Sequence, residues 1–105
     1  MLVTDLNAAD VPEGESVVVD VAGASILVCR SEDQLHAVQN QCSHQNQPLA
    51  GGRVRNGCIF CPVHGMRFRL ETGEPLGQLT SRPIKVLDLE VVAGKVAILT
   101  PIQEG

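Results

Sequence analysis

Apolar and polar positions along this chain repeat with a period of two, and they predict strands almost throughout. Glu15-Ser16-Val17-Val18-Val19-Asp20-Val21 and Ser25-Ile26-Leu27-Val28-Cys29 are β-branched and apolar runs on either side of Gly23, the composition of a hairpin. Leu35 to Gln39 predicts a third strand. Arg53-Val54-Arg55 and Cys58-Ile59-Phe60 flank Asn56-Gly57, a pair that favours a type I′ turn and so predicts a tight second hairpin. In Met66-Arg67-Phe68-Arg69-Leu70 apolar and cationic residues alternate, so one face is predicted to be buried while Arg67 and Arg69 lie on a solvated one. Ile84 to Val92, a turn at Ala93-Gly94, and Lys95 to Leu99 predict a last hairpin. Helix is suggested at one place alone, a turn at Asn7-Ala8-Ala9-Asp10 with Asn7 as its cap. The class is all-β.

Size turns this pattern into one unit, because 105 residues of which 44% are hydrophobic can build a single, modest core. One domain over residues 1–105 is expected, with no repeat, linker or low-complexity tract. Met1-Leu2-Val3-Thr4-Asp5 has neither the basic region nor the apolar run of a secretory signal, and no stretch approaches the roughly eighteen apolar residues of a membrane span. A soluble, cytoplasmic chain without a membrane partner is expected. The formal net charge of −4 disfavours nucleic acid and predicts steering toward basic partner surfaces. No nucleophile with a base, and no paired acid and base, stands out, so the chain alone is not expected to be an enzyme.

The chemistry is concentrated in two short segments, Cys42-Ser43-His44 and Cys61-Pro62-Val63-His64, separated by sixteen residues. Each offers one thiolate and one imidazole within a few residues. That is the ligand set of a Rieske centre, in which one iron of a [2Fe-2S] unit is held by two Cys and the other by two His. Two ferric ions and two sulfides sum to a charge of +2, and two thiolates bring the oxidised centre to zero. Four thiolates leave it at −2, which is why His ligation raises the potential to roughly −150 to +300 mV. Two Cys and two His also satisfy a tetrahedral zinc site. Structural zinc sites usually keep Cys with Cys and His with His, whereas each pair here is mixed. Cys58 and Cys61 form a C-x-x-C, but the surrounding β pattern lacks the βαβ context of a thioredoxin-like motif. Cys61 is therefore assigned to metal, and Cys58 and Cys29 are read as small buried hydrophobes. Four cysteines without an export signal agree with reduced thiols held by metal. His36, which alternation points away from the face of Leu35 and Ala37, is read as a solvated strand residue.

The spacing C-x-H-x16-C-x2-H, Pro62 after the second Cys, and the stretch His64-Gly65-Met66-Arg67-Phe68-Arg69-Leu70-Glu71-Thr72-Gly73 resemble the Rieske iron–sulfur family. The resemblance covers most of residues 15 to 100. It implies an antiparallel β-sandwich with a small cluster-binding subdomain made of loops, at about 40–83, and one [2Fe-2S] cluster held by Cys42, His44, Cys61 and His64. Members in cytochrome complexes carry an extra disulfide-forming Cys in each loop and a membrane anchor. Gln47 or a near neighbour and Val63 stand at those positions here, so the chain is more similar to the soluble Rieske-type ferredoxins of bacterial aromatic-ring dioxygenase systems.

The same resemblance implies a monomeric electron carrier that takes electrons from a flavin-dependent ferredoxin reductase and gives them to a terminal oxygenase. Docking is expected at the exposed ring edges of His44 and His64, with Gln45, Pro48, Leu49, Pro62 and Met66 as a mainly neutral contact patch. Leu49 is equally compatible with packing inward. High-potential relatives place a Ser and a Tyr after the second His, where Met66 and Phe68 stand here; neither donates a hydrogen bond, so a potential near the low end of the Rieske range is expected. A third, proline-containing loop is placed within Leu76 to Pro83, with Leu79 or Thr80 where relatives have an earlier proline. Two other readings are a small subunit of an assimilatory nitrite reductase, whose relatives often lack ligands, and a zinc-stabilised interaction domain.

Overall fold

The computed structural model describes residues 2–42, 47–62, 65–77 and 82–99. Its eleven strands among these residues are β1 (Leu2–Asn7), β2 (Ser16–Val21), β3 (Ala24–Ser31), β4 (Gln34–Gln39), β5 (Val54–Arg55), β6 (Cys58–Phe60), β7 (Arg67–Arg69), β8 (Pro75–Leu76), β9 (Val86–Leu87), β10 (Leu89–Val92) and β11 (Lys95–Ile98). They form three antiparallel sheets, ordered β1-β11-β10, β2-β3-β4-β9 and β5-β6-β7-β8.

The sheet β2-β3-β4-β9 lies between two cores, as the alternation along β3 shows. Ile26 and Val28 join Ala37, Leu87, Val96 and Ile98 on one side. Leu27 and Cys29 join Val38, Ile59, Phe68 and Leu70 on the other. Four consecutive buried residues, Ile26 to Cys29, therefore mark a strand covered on both faces.

Hairpin turns follow the predicted chemistry where glycine is present. Asn56 and Gly57 have φ of 54° and 74°, and Ala93 and Gly94 of 51° and 81°, the paired positive values of a type I′ turn. The turn between β3 and β4 uses Glu32 and Asp33, with φ of 54° and 63° and no glycine. The Glu13 carboxylate holds it, accepting the Glu32 and Asp33 N–H groups at 2.9 and 2.8 Å.

Three expectations change in detail. The run from Ile84 to Val92 is two strands: β9 pairs with β4, Asp88 interrupts, and β10 pairs with β11 in another sheet. The N-terminal residues form β1, which pairs with β11 and is tied to it by the Thr4 hydroxyl donating to the Val96 carbonyl at 2.8 Å. Ala8–Asp10 is a single 3-10 turn, but the Asn7 side chain does not cap it, since its amide donates instead to the Asp10 carboxylate at 3.2 Å. Arg30 fixes this turn by donating to the Ala8 and Val11 carbonyls at 2.9 and 2.6 Å.

Candidate metal centre

The two segments with Cys and His leave from strand ends of different sheets. β4 ends at Gln39 and runs into Cys42; β6 ends at Phe60, directly before Cys61. Both thiols are buried, at 0% and 1% exposure, and both belong to the core shared with Leu27, Leu49, Met66 and Phe68. His44 and His64 lie outside the described residues. Among the described residues no group of three or more His, Cys, Asp or Glu gathers as for a metal ion.

The two loops are closed in the same way. Cys42 N–H donates to the carbonyl of Gln47, and Cys61 N–H to that of Met66, each five residues on and each at 2.7 Å. The second loop is tightened further by Gly65 N–H donating to the Cys61 carbonyl at 2.8 Å, with Gly65 at φ 69°. Each closure brackets the position of its histidine, two residues after Cys42 and three after Cys61.

Residues that sequence reasoning passed over hold the first loop. The Asn40 side-chain oxygen accepts the Leu49 and Ala50 N–H groups at 2.8 and 2.9 Å, and its amide donates to the Ser25 hydroxyl at 3.1 Å. The segment then passes so close to β6 that a Cβ on Gly52 would stand 1.9 Å from the Phe60 carbonyl oxygen. Gly73 plays the same part behind β7, with φ 81° and a Cβ position 2.2 Å from the Ile84 carbonyl oxygen. The one available signal was an Asn two residues before Cys42; close backbone approaches leave none in a single sequence.

The proposed contact patch is reduced. Leu49 and Met66 are buried at 0% and 4%, because they fill the core behind the cysteines, so neither forms a contact surface. Pro48, Pro62 and Gly65 are exposed beside the loops, whereas Gln45 lies outside the described residues. Phe68 is wholly buried and, like Met66, offers no donor. Pro83 and Gln47 are exposed; Val63, Leu79 and Thr80 lie outside the described residues.

The remaining thiols and His36 fall elsewhere. None of the four cysteines is in a disulfide, and Cys29 and Cys58 are buried as expected. Burial pushes the Cys29 thiol up to about 12, so it stays protonated at neutral pH. His36 is half-buried rather than solvated. It lines a cleft of about 370 Å³ with Asn56, Cys58, Arg69 and Glu71. Burial lowers its pKa, against the opposing charges of Glu71 and Glu32.

A buried thiolate needs a cationic partner to offset its desolvation, and two of them facing one core at equivalent loop positions fit a metal cluster. The donor set, two Cys with a His following each, suits iron–sulfur chemistry. Known proteins agree. The family model of the Rieske [2Fe-2S] domain matches residues 2–88. The chain is 33% identical over 94 residues to the anthranilate 1,2-dioxygenase ferredoxin subunit of Burkholderia cepacia, covering 89% of this chain and 87% of that protein. Its fold is similar to the ferredoxin of carbazole 1,9a-dioxygenase from Nocardioides aromaticivorans IC177, with a TM-score of 0.84, 26% identity, and coverage of 93% and 97% of the two chains. It is also similar, at a TM-score of 0.81 and 32% identity over 89% of this chain and 96% of the other, to a chain in the complex of reduced oxygenase and oxidized ferredoxin in carbazole 1,9a-dioxygenase.

Proposed function

This chain belongs to the Rieske [2Fe-2S] ferredoxins, and from that premise we propose that Cys42, His44, Cys61 and His64 hold its cluster while it carries single electrons from a flavin-dependent reductase to a terminal oxygenase. It is an electron-transfer component and not itself an enzyme. The observation that carries the ligand assignment is the pair of buried thiols, Cys42 and Cys61, in one core under two loops closed by the same hydrogen bond.

The bound [2Fe-2S] cluster supplies reversible one-electron chemistry. The chain's own part is to hold and insulate it. Leu49, Met66 and Phe68 exclude water on the cysteine side. Pro48, Pro62 and Gly65 are exposed beside the two loops, and His44 and His64 are assigned as the port where a partner docks transiently. Met66 and Phe68 donate no hydrogen bond toward the site, which keeps the reduced state less stabilised and the potential low in the Rieske range. We place the protein in the cytoplasm, whose reducing poise suits four cysteines outside any disulfide. The whole chain acts as one Rieske domain, with its cluster-binding part at about 40–83.

The reading is tested on anaerobically purified protein by assaying iron and zinc and recording EPR spectra before and after dithionite. Two irons per chain and a signal that appears only on reduction are expected. Stoichiometric zinc without colour, and no cluster on reconstitution, would overturn it.

A further inference from the structure

The net charge of −4 conceals a strong segregation. Residues 40–85 contain six of the eight Lys and Arg but two of the twelve Asp and Glu, so this segment carries +4 and the rest of the chain −8. Much of the positive charge is gathered on one surface by strand register. In an antiparallel sheet, residues directly opposite one another share a face. Phe60 is opposite Arg67 on β7, and its N–H donates to the Arg53 carbonyl at 2.8 Å on its other side. Two residues back, Cys58 is opposite Arg55 and Arg69. Val54, Ile59 and Phe68 take the other face into the core. The outer face of the β5–β8 sheet therefore presents four arginines around the half-buried Phe60, with Glu74 opposite Arg69 and with Glu32 and Glu71 lining a cleft beside Arg69. None of the four arginines makes an ion pair or side-chain hydrogen bond among the described residues.

Position gives this face its meaning. Phe60 immediately precedes Cys61, so Arg53 and Arg67 stand beside the loop of the metal centre, and exposed Pro62 continues the surface. Carboxylates elsewhere on the chain set the sign of the whole molecule, but a partner approaching the port meets the nearest charges first, because screening confines each charge to about 10 Å at 0.1 M salt. Arginine's planar fork also suits carboxylates bidentately.

We propose that this arginine face docks the electron acceptor, and that the acceptor presents Asp and Glu around its own docking site. The partner chemistry is thus opposite to the basic surface that net charge alone suggests. This rests on the carrier reading above, since the acceptor is the terminal oxygenase.

The test is stopped-flow oxidation of the reduced, cluster-loaded protein. Ferricyanide, a trianion that takes one electron to become ferrocyanide, should lose about tenfold in second-order rate as NaCl rises from about 20 to 500 mM. Tris(phenanthroline)cobalt(III), a cation reduced by one electron, should show the opposite trend. In R53E/R67E the two trends exchange, while E90K on β10 leaves them in place; unchanged visible spectra show that both variants hold the cluster. Transfer to the terminal oxygenase should fall at least tenfold in R53E/R67E at low salt. A ferricyanide rate that rises with salt, or undiminished transfer by R53E/R67E, would overturn the proposal. Low-salt self-association abolished by R53E/R67E would also overturn it, by seating the acidic end of a second copy on the face, as would equally sensitive binding of a DNA duplex. The expected ferricyanide pattern with no oxygenase reduced at any salt would support the sign of the face while sinking the carrier-to-oxygenase reading.

Discussion

Along β3 four consecutive residues are buried between two cores, whereas the strands β5 to β8 run for two or three residues and their loops are fixed by Asn40, Gly52 and Gly73. The body of the molecule is specified redundantly, through many apolar contacts on long paired strands. Its cluster-binding part is specified by single residues, and two of its core members are the proposed ligands, Cys42 and Cys61. The difference teaches that the proposed metal site is also part of the packing, so on this reading binding and local folding are coupled in one part and independent in the other.

The largest expected effect comes from removing a ligand. Cys42→Ser or Cys61→Ser should abolish the cluster, seen as loss of visible absorbance and of protein-bound iron, while Cys58→Ser, on the outer face of the sheet, should retain both. In the Cys42→Ser protein, hydrogen exchange should quicken across 47–77 and remain slow in β2, β3 and β11; uniform loss of protection would break the comparison. Next comes Gly52→Ala, whose new methyl meets the Phe60 carbonyl and should cost about 3 kcal/mol in denaturant unfolding, since the atom met is backbone. Leu49→Ala should cost a similar amount, about 3 kcal/mol, and weaken iron retention, whereas exposed Pro48→Ala should do little to either.

Smaller effects sharpen the body. Glu13→Ala leaves the Glu32 and Asp33 N–H groups without their acceptor and should cost about 1 kcal/mol of global stability, measured by urea unfolding. The smallest concerns His36. Burial lowers its pKa from the usual 6.5, so the unfolded chain binds the proton more readily than the folded one. The stability this contributes is present above 6.5 and declines as pH falls toward the folded-state value. His36→Gln should flatten the stability profile just below pH 6.5; a variant whose stability falls as steeply there as wild type would contradict this.

Much of this was legible in sequence, for reasons that differ by region. The β2–β3 and β5–β6 hairpins were readable because Gly23 and Asn56-Gly57 sit between alternating runs. The β3–β4 turn was not, because its support comes from Glu13, nineteen residues away from Glu32. β1 escaped for the same reason, since its partner β11 lies at the other end of the chain. The switch of sheets at Asp88 was hidden within one continuous apolar run. At the site, the spacing pointed to Cys42 and Cys61, and the structure buries both in one core. Sequence did not reveal that Leu49 and Met66 face the core, nor that the arginines predicted on a solvated face would align with Arg53 and Arg55 across three strands.

The most direct measurement is the midpoint potential of the purified, cluster-loaded protein by spectroelectrochemistry. Ligation by two Cys and two His, with Met66 and Phe68 in place of hydroxyl donors, predicts a one-electron couple near the low end of the Rieske range, about −150 mV. A value near −400 mV, that of an all-Cys cluster, would contradict the ligand set. One near +300 mV would contradict the part assigned to Met66 and Phe68.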